Sequence, residues 1–131
     1  MGKYREVFLE EASEHLAEMS RALLELEKDP AHVASIDLLF RMAHSIKGMA
    51  ASLEYPSITA ASHRFEDRMQ LLRSGQIGLD AAELARLFQA LGGLEGMVET
   101  VRRTGAAPAD PEIAVDAPSV QDAWEGLQKK A

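Results

Sequence analysis

The chain has no cysteine, few aromatic residues and fewer basic than acidic side chains, and each shortage removes a class of protein. Without cysteine there is no disulfide frame and no thiolate metal site. Aromatics make up 5% of the 131 residues, while Ala, Leu and Met are abundant, a composition that suits packed helices better than sheets. Fourteen Lys and Arg stand against 21 Asp and Glu, a formal net charge of −7. That balance argues against nucleic acid or an anionic membrane surface as a main partner. No apolar run is long enough to span a bilayer, and Met1 to Glu11 lacks the apolar core of a signal peptide. A Gly-rich nucleotide-binding motif is also missing, and the chain is too short to hold an ATP-binding domain beside a bundle. These absences leave a cytoplasmic, mostly helical domain, and the 47% hydrophobic content is enough for a real core.

Apolar spacing marks four helices. The first carries Phe8, Leu9, Ala12, Leu16, Met19, Leu23 and Leu26 and ends near Lys28-Asp29-Pro30. The second carries Ile36, Leu39, Ala43, Ile46, Ala50 and Leu53, with Asp29 or Ser35 as its cap. Tyr55-Pro56-Ser57 is a break, since Pro56 disfavours a helical Tyr55, and Ser57 is placed to cap the third helix. That helix carries Ile58, Ala61, Phe65, Met69 and Leu72 and stops at Ser74-Gly75. Asp80-Ala81-Ala82-Glu83 resembles a capping box that opens the fourth, which carries Leu84, Leu87, Leu91, Leu94, Val98 and Val101. Gly92, Gly93 and Gly96 either permit close helix approach or leave this helix locally soft.

Short connections predict an all-α, up-down-up-down four-helix bundle over residues 1–104. Residues 105–118 hold three of the five prolines and read as a linker. In residues 119–131, Val120, Ala123, Trp124 and Leu127 share one face, which predicts a short fifth helix docking on the bundle.

The polar residues on the second and third helices are the informative ones. His44 and Lys47 lie three apart in Ala43-His44-Ser45-Ile46-Lys47-Gly48, and His63 and Glu66 are also three apart. In an antiparallel hairpin turning at Tyr55-Pro56, with Leu53 facing Ser57, His44 stands level with Glu66 and Lys47 with His63. Four polar side chains then converge beside the apolar seam. A lone histidine beside such a seam is ordinarily structural; this convergence reverses that expectation. His15 and His32 have no partners in the pattern and read as surface or rim residues.

The chemistry open to the cluster is specific. A carboxylate bonded to one imidazole nitrogen fixes which nitrogen keeps the lone pair. Glu66 is placed to do this for His44, leaving its other nitrogen as a nucleophile. Phosphoryl transfer needs positioning and cations near the phosphoryl oxygens, which Lys47 supplies, with His63 as a further donor. Gly48 and Ala51 keep the neighbouring surface flat for a partner, with Met49 beside Gly48.

Phe40-Arg41-Met42-Ala43-His44-Ser45-Ile46-Lys47-Gly48, with His63 and Glu66 downstream, resembles the histidine phosphotransfer (HPt) domain family, in the form found at the N-terminus of the chemotaxis histidine kinase CheA. The resemblance covers about residues 3 to 104 and extends to the expected fifth helix. It implies His44 as phosphoacceptor, with Lys47, His63 and Glu66 as its supporting network. It implies as partners an ATP-binding kinase domain, which uses ATP and Mg, and the receiver domains of response regulators; this chain itself binds no cofactor. Two positions depart from the family pattern: Met49 stands where a second glycine is common, and Glu54 where a glycine near the helix end is common. The linker and the end at Ala131 suggest a fragment of a longer kinase, monomeric on its own. Three alternatives remain: a free-standing phosphorelay protein, a docking module without chemistry, and a bundle metal site built from His44, His63 and Glu66. The last is disfavoured by the single carboxylate and by Lys47, which repels a cation.

Overall fold

The apolar residues at helical spacing do form one core. The structure, a computed structural model, describes residues 2–108. The latter part of the expected linker and the expected fifth helix at 119–131 lie outside the described residues. Among the described residues there are four helices: α1 (Gly2–Lys28), α2 (Val33–Ser52), α3 (Pro56–Arg73) and α4 (Ala81–Thr104). Each packs on its neighbour in sequence and α4 closes against α1, giving an up-and-down bundle. No described helix is long and apolar enough to cross a membrane.

The core collects Phe8, Leu16, Met19, Leu23 and Leu26 from α1, Leu39 and Ile46 from α2, Ile58, Phe65 and Met69 from α3, and Leu87, Leu91, Leu94, Val98 and Val101 from α4. Each large apolar side chain so buried contributes about 1.5–3 kcal/mol. Ala43 and Ala50 have no exposed surface, and their small side chains let α2 approach its neighbours while carrying His44 and Lys47 on its outer side.

The helix ends differ from the sequence expectation in instructive ways. The cap of α2 is His32, not Asp29 or Ser35: its Nδ1 accepts from the Ser35 backbone N–H at 3.2 Å. Imidazole is an uncommon cap, so residue-type preference missed it. Ser35 is buried and its hydroxyl lies 2.7 Å from the same Nδ1, while Asp29 accepts from the Ala31 N–H at 3.1 Å in the preceding turn. Ser57 does not cap α3. Tyr55 occupies that position without a side-chain bond, Pro56 opens the helix, and Ser57 is buried with its hydroxyl unpaired. Pro56 supplies no N–H at the first helical position and carries a preset φ, so the helix starts there without a side-chain cap. The expected capping box before α4 is half realised. Asp80 accepts from the Glu83 N–H at 2.8 Å, but the Glu83 carboxylate turns to Arg68 on α3, taking two bonds at 2.6 and 2.7 Å. Arg68 presents a planar fork to both carboxylate oxygens, which a single backbone N–H cannot match.

Gly92, Gly93 and Gly96 are exposed, and a Cβ at any of them would meet nothing within 4 Å. They are therefore not sites of close helix approach; what they do is lower the intrinsic helicity of α4.

Helices α2 and α3 end in the same backbone motif, closed by different residues. After α3, Gly75 sits at φ 77°, and the Gln76 and Gly75 N–H groups bond back to Leu71 and Leu72. After α2, the Tyr55 and Glu54 N–H groups bond back to Ala50 and Ala51, and Glu54 is held at φ 60°. This is the left-handed position that glycine normally fills, and a Cβ there is penalised. The Tyr55 ring meets Phe8 of α1 at 5.3 Å and anchors the turn. Glu54→Gly is therefore expected to raise stability by about 1 kcal/mol. Urea denaturation midpoints check this, and an unchanged or lower midpoint would refute backbone strain at Glu54.

Candidate functional site

His44 lies on the outer side of α2, opposite Ala43 and Ile46, which face the core. Its side chain is 64% exposed, whereas that of Glu66, across on α3, is only 10% exposed. His44 Nδ1 donates to Glu66 Oε2. Lys47, one turn further along α2, donates from Nζ to Glu66 Oε1 at 2.5 Å. One carboxylate thus ties both α2 side chains to α3. Gly48 and Ala51 are exposed beside them, and a Cβ at Gly48 would meet nothing within 4 Å. Met49 is half-buried and packs on the core, so it does not extend the exposed surface.

Three of the four expected side chains come together; His63 does not join them by a bond. It lines a shallow groove with Lys47, Ala51, Tyr55 and Thr59, but its Nε2 lies 3.4 Å from Asp67, one turn along its own helix. Asp67 competes for His63 from four residues away on the same helix face, a partner the hairpin register does not display. Among the described residues, no three His, Asp or Glu side chains are gathered to hold a metal ion.

The electrostatics follow from the geometry. Burial pushes the Glu66 carboxyl up, but the hydrogen bonds from Lys47 and His44, with their charges, outweigh it and hold the group below the ordinary carboxylate range. At neutral pH Glu66 is therefore a carboxylate and accepts from Nδ1–H. His44 is left in the tautomer whose Nε2 carries the lone pair. Glu83 is lowered as well: the hydrogen bonds from Arg68 pull it down, burial opposes them, and the Arg68 charge adds to the lowering.

Both carboxylates have a folded-state pKa below the unfolded one. Their stabilisation is present above the ordinary carboxylate pKa of 4.5 and is lost as pH falls through the folded values. Melting temperature is thus expected to fall on acidification below that range, and Glu83→Gln should flatten the acid limb of the curve. Parallel acid limbs in the variant and the wild type would refute a stabilising role for the Glu83 charge.

Sequence reasoning missed one neighbour of His44 and the residue that covers it. The Phe40 ring, one turn earlier on α2, lies nearly parallel to the imidazole, with centroids 6.5 Å apart and planes 12° apart. Arg73, the last residue of α3, places its guanidinium over the Phe40 ring, 4.3 Å from the centroid, and pairs with Asp37 at 2.9 Å. The four-residue spacing of Phe40 and His44 was a signal for the first contact, and the hairpin register, which sets Arg73 level with Asp37, for the second. Beyond these, His15 and His32 are not unpartnered rim residues. His15 Nε2 lies 3.1 Å from the hydroxyl of Ser45, next to His44, and His32 is the α2 cap.

A family model described as the Hpt domain matches residues 3–104, which takes in all four helices and the whole cluster. The chain belongs to the Hpt domain family. This Hpt domain is 36% identical over 110 residues to the chemotaxis protein CheA of Bacillus subtilis, covering 84% of the chain but 16% of that protein. The chain thus spans about a sixth of the length of this curated relative. Among solved structures, the CheA phosphotransferase domain of Thermotoga maritima superposes with a TM-score of 0.71 at 30% identity, covering 76% of this chain and 94% of that one. The phosphorylated P1 domain of CheA3 from R. sphaeroides, solved in complex with CheY6, has the same fold. Its TM-score is 0.78 at 23% identity, over 89% of this chain and 90% of that one. The Hpt domain described here therefore closely matches the phosphotransfer domain of CheA.

Proposed function

We propose that this Hpt domain accepts a phosphoryl group on His44 from a CheA-type kinase domain and passes it to an aspartate of a response regulator. One observation carries the reading: an exposed imidazole has its Nδ1 tied to a buried carboxylate, which leaves Nε2 as the nitrogen for chemistry. Nε2 attacks the γ-phosphorus of ATP bound, with Mg, in the kinase domain; the N–P bond forms, the bond to the bridging oxygen breaks, and ADP leaves. The proton on Nδ1 stays in the bond to Glu66, whose negative charge stabilises the imidazolium that forms. In the return step, a carboxylate oxygen of the regulator attacks phosphorus, the N–P bond breaks, and the lone pair returns to Nε2. Lys47 contributes a cation beside the phosphoryl oxygens. His63 acts through the groove it shares with Lys47, as a further donor. Gly48 and Ala51 form the approach surface, and the open space at Gly48 supports this, since nothing among the described residues requires a glycine there. Capture of a phosphorylated relative of this fold with CheY6 supports the regulator as a partner. Dependence on ATP would fit a cytoplasmic site of action.

The test is a two-stage transfer. The protein is labelled with radioactive ATP and a CheA-type kinase core, purified, and mixed with a receiver domain. An acid-labile, base-stable label that moves to the receiver establishes the function. Stable label that no receiver drains would reduce the reading to a phosphoacceptor without transfer. No label with the cognate kinase core would favour a docking module that has kept the residues and lost the chemistry.

A further inference from the structure

The hydrogen bond to Glu66 fixes one atom of His44, and one atom does not fix a ring. The imidazole could still turn about the Nδ1 contact, and a side chain 64% exposed has water competing for that bond. Phosphoryl transfer requires the Nε2 lone pair to point along the line of attack, so the plane of the ring matters as much as the tautomer. Phe40 supplies a flat wall one turn before His44, parallel to the imidazole within 12° and inside the range of offset aromatic pairs.

Phe40 is itself held. Its ring is half-buried against the core, and the Arg73 guanidinium covers it at 4.3 Å in a cation–π contact. Arg73 is anchored by Asp37, one turn before Phe40 on α2. Asp37, Arg73, Phe40 and His44 thus form a continuous stack from the end of α3 to the reacting ring. Two separate contacts, Glu66 at Nδ1 and Phe40 along the ring face, then define the imidazole's position and its plane.

We infer that Phe40, clamped by Arg73, is a positioning residue that sets the plane of the His44 imidazole for phosphoryl transfer. The inference rests on His44 being the phosphoacceptor, and its test is built to separate the two. The protein is 15N-labelled, and the His44 ring nitrogens are followed by NMR in wild type, Phe40→Leu, Phe40→Tyr and Arg73→Gln. Each is also phosphorylated with phosphoramidate, a small donor that needs no docking surface.

Leucine keeps an apolar side chain and loses the flat ring, while tyrosine keeps the ring. In Phe40→Leu the Nδ1–H tautomer signature is expected to average toward that of a free histidine. The phosphorylation rate is expected to drop about tenfold, well inside the loss a misplaced reacting group can cause. Arg73→Gln should shift both readouts the same way by less, and Phe40→Tyr should restore both. Wild-type tautomer and rate in a folded Phe40→Leu protein would overturn the inference. So would a Phe40→Tyr protein as impaired as Phe40→Leu, because loss of packing rather than of the ring plane would then be the cause. If wild type takes no label on His44, the phosphoacceptor reading fails, and the inference fails with it even where the tautomer responds.

Discussion

His44→Gln is expected to abolish phosphorylation by a CheA-type kinase core while leaving the helical circular-dichroism signal and the melting curve close to wild type. The two halves of that result have separate causes. His44 faces solvent on the outer side of α2, so its replacement removes no core contact. Glutamine is at least as good a helix former as histidine. Glu66 keeps Lys47 as a partner and is not left as an unpaired buried charge. Chemistry, by contrast, ends completely, because an amide nitrogen has its lone pair delocalised into the carbonyl and is no nucleophile. His15, His32 and His63 remain in the variant, and two of them are engaged by Ser45 and by the α2 turn. Residual acid-labile label on His44→Gln would move the acceptor to one of these three and would undo the assignment.

Glu66→Ala is expected to slow phosphorylation roughly 10- to 100-fold without unfolding the bundle, the usual scale for removing a group that orients a reactive imidazole. Three effects add. The imidazole loses the bond that fixes its tautomer, the developing imidazolium loses its counter-charge, and Lys47 loses the anchor that holds it beside His44. Glu66→Gln separates them, because it keeps an acceptor and most of the volume but removes the charge. Its rate should fall between wild type and Glu66→Ala. The pH profile adds an independent check. Glu66 is held below the ordinary carboxylate range, so it stays a carboxylate wherever the imidazole can act as a nucleophile, and the slowing in Glu66→Ala should be of similar size across the neutral range. Single-turnover labelling across pH measures both, and a wild-type rate in Glu66→Ala would remove the orienting role.

The stability and activity effects lie at different helix pairs, on either side of α3. Glu83, with Arg68 and Arg86, forms a network where α3 meets the start of α4. The His44 cluster joins α2 to α3 through Glu66. Acid should weaken both, but Glu83→Gln should change stability without changing phosphorylation, whereas Glu66→Gln should change the rate.

Much of this was open to sequence reasoning because helices follow a fixed period. The apolar positions of all four helices repeat at three and four, so the core-facing residues follow from spacing alone. Pro56 and Gly75 mark helix boundaries through backbone geometry that belongs to the residue itself. The register of one short hairpin places His44 level with Glu66, since antiparallel helices joined by a tight turn have little freedom to slide.

What the sequence left open are choices between competing partners. His63 had Lys47 across the hairpin and both Glu66 and Asp67 on its own helix, and the side chain went to Asp67. Glu83 had a backbone N–H in its own cap and a guanidinium on the preceding helix, and it took the guanidinium. Glu54 occupies a left-handed turn position that its residue type does not announce, because the turn geometry between α2 and α3 and the Phe8–Tyr55 contact hold it there. The stack of Arg73, Phe40 and His44 joins residues from two helices through faces rather than hydrogen bonds. Periodicity places a side chain on a face of its helix. Which of several neighbours it then meets depends on the distance and rotation between packed helices, and only the tertiary structure sets those.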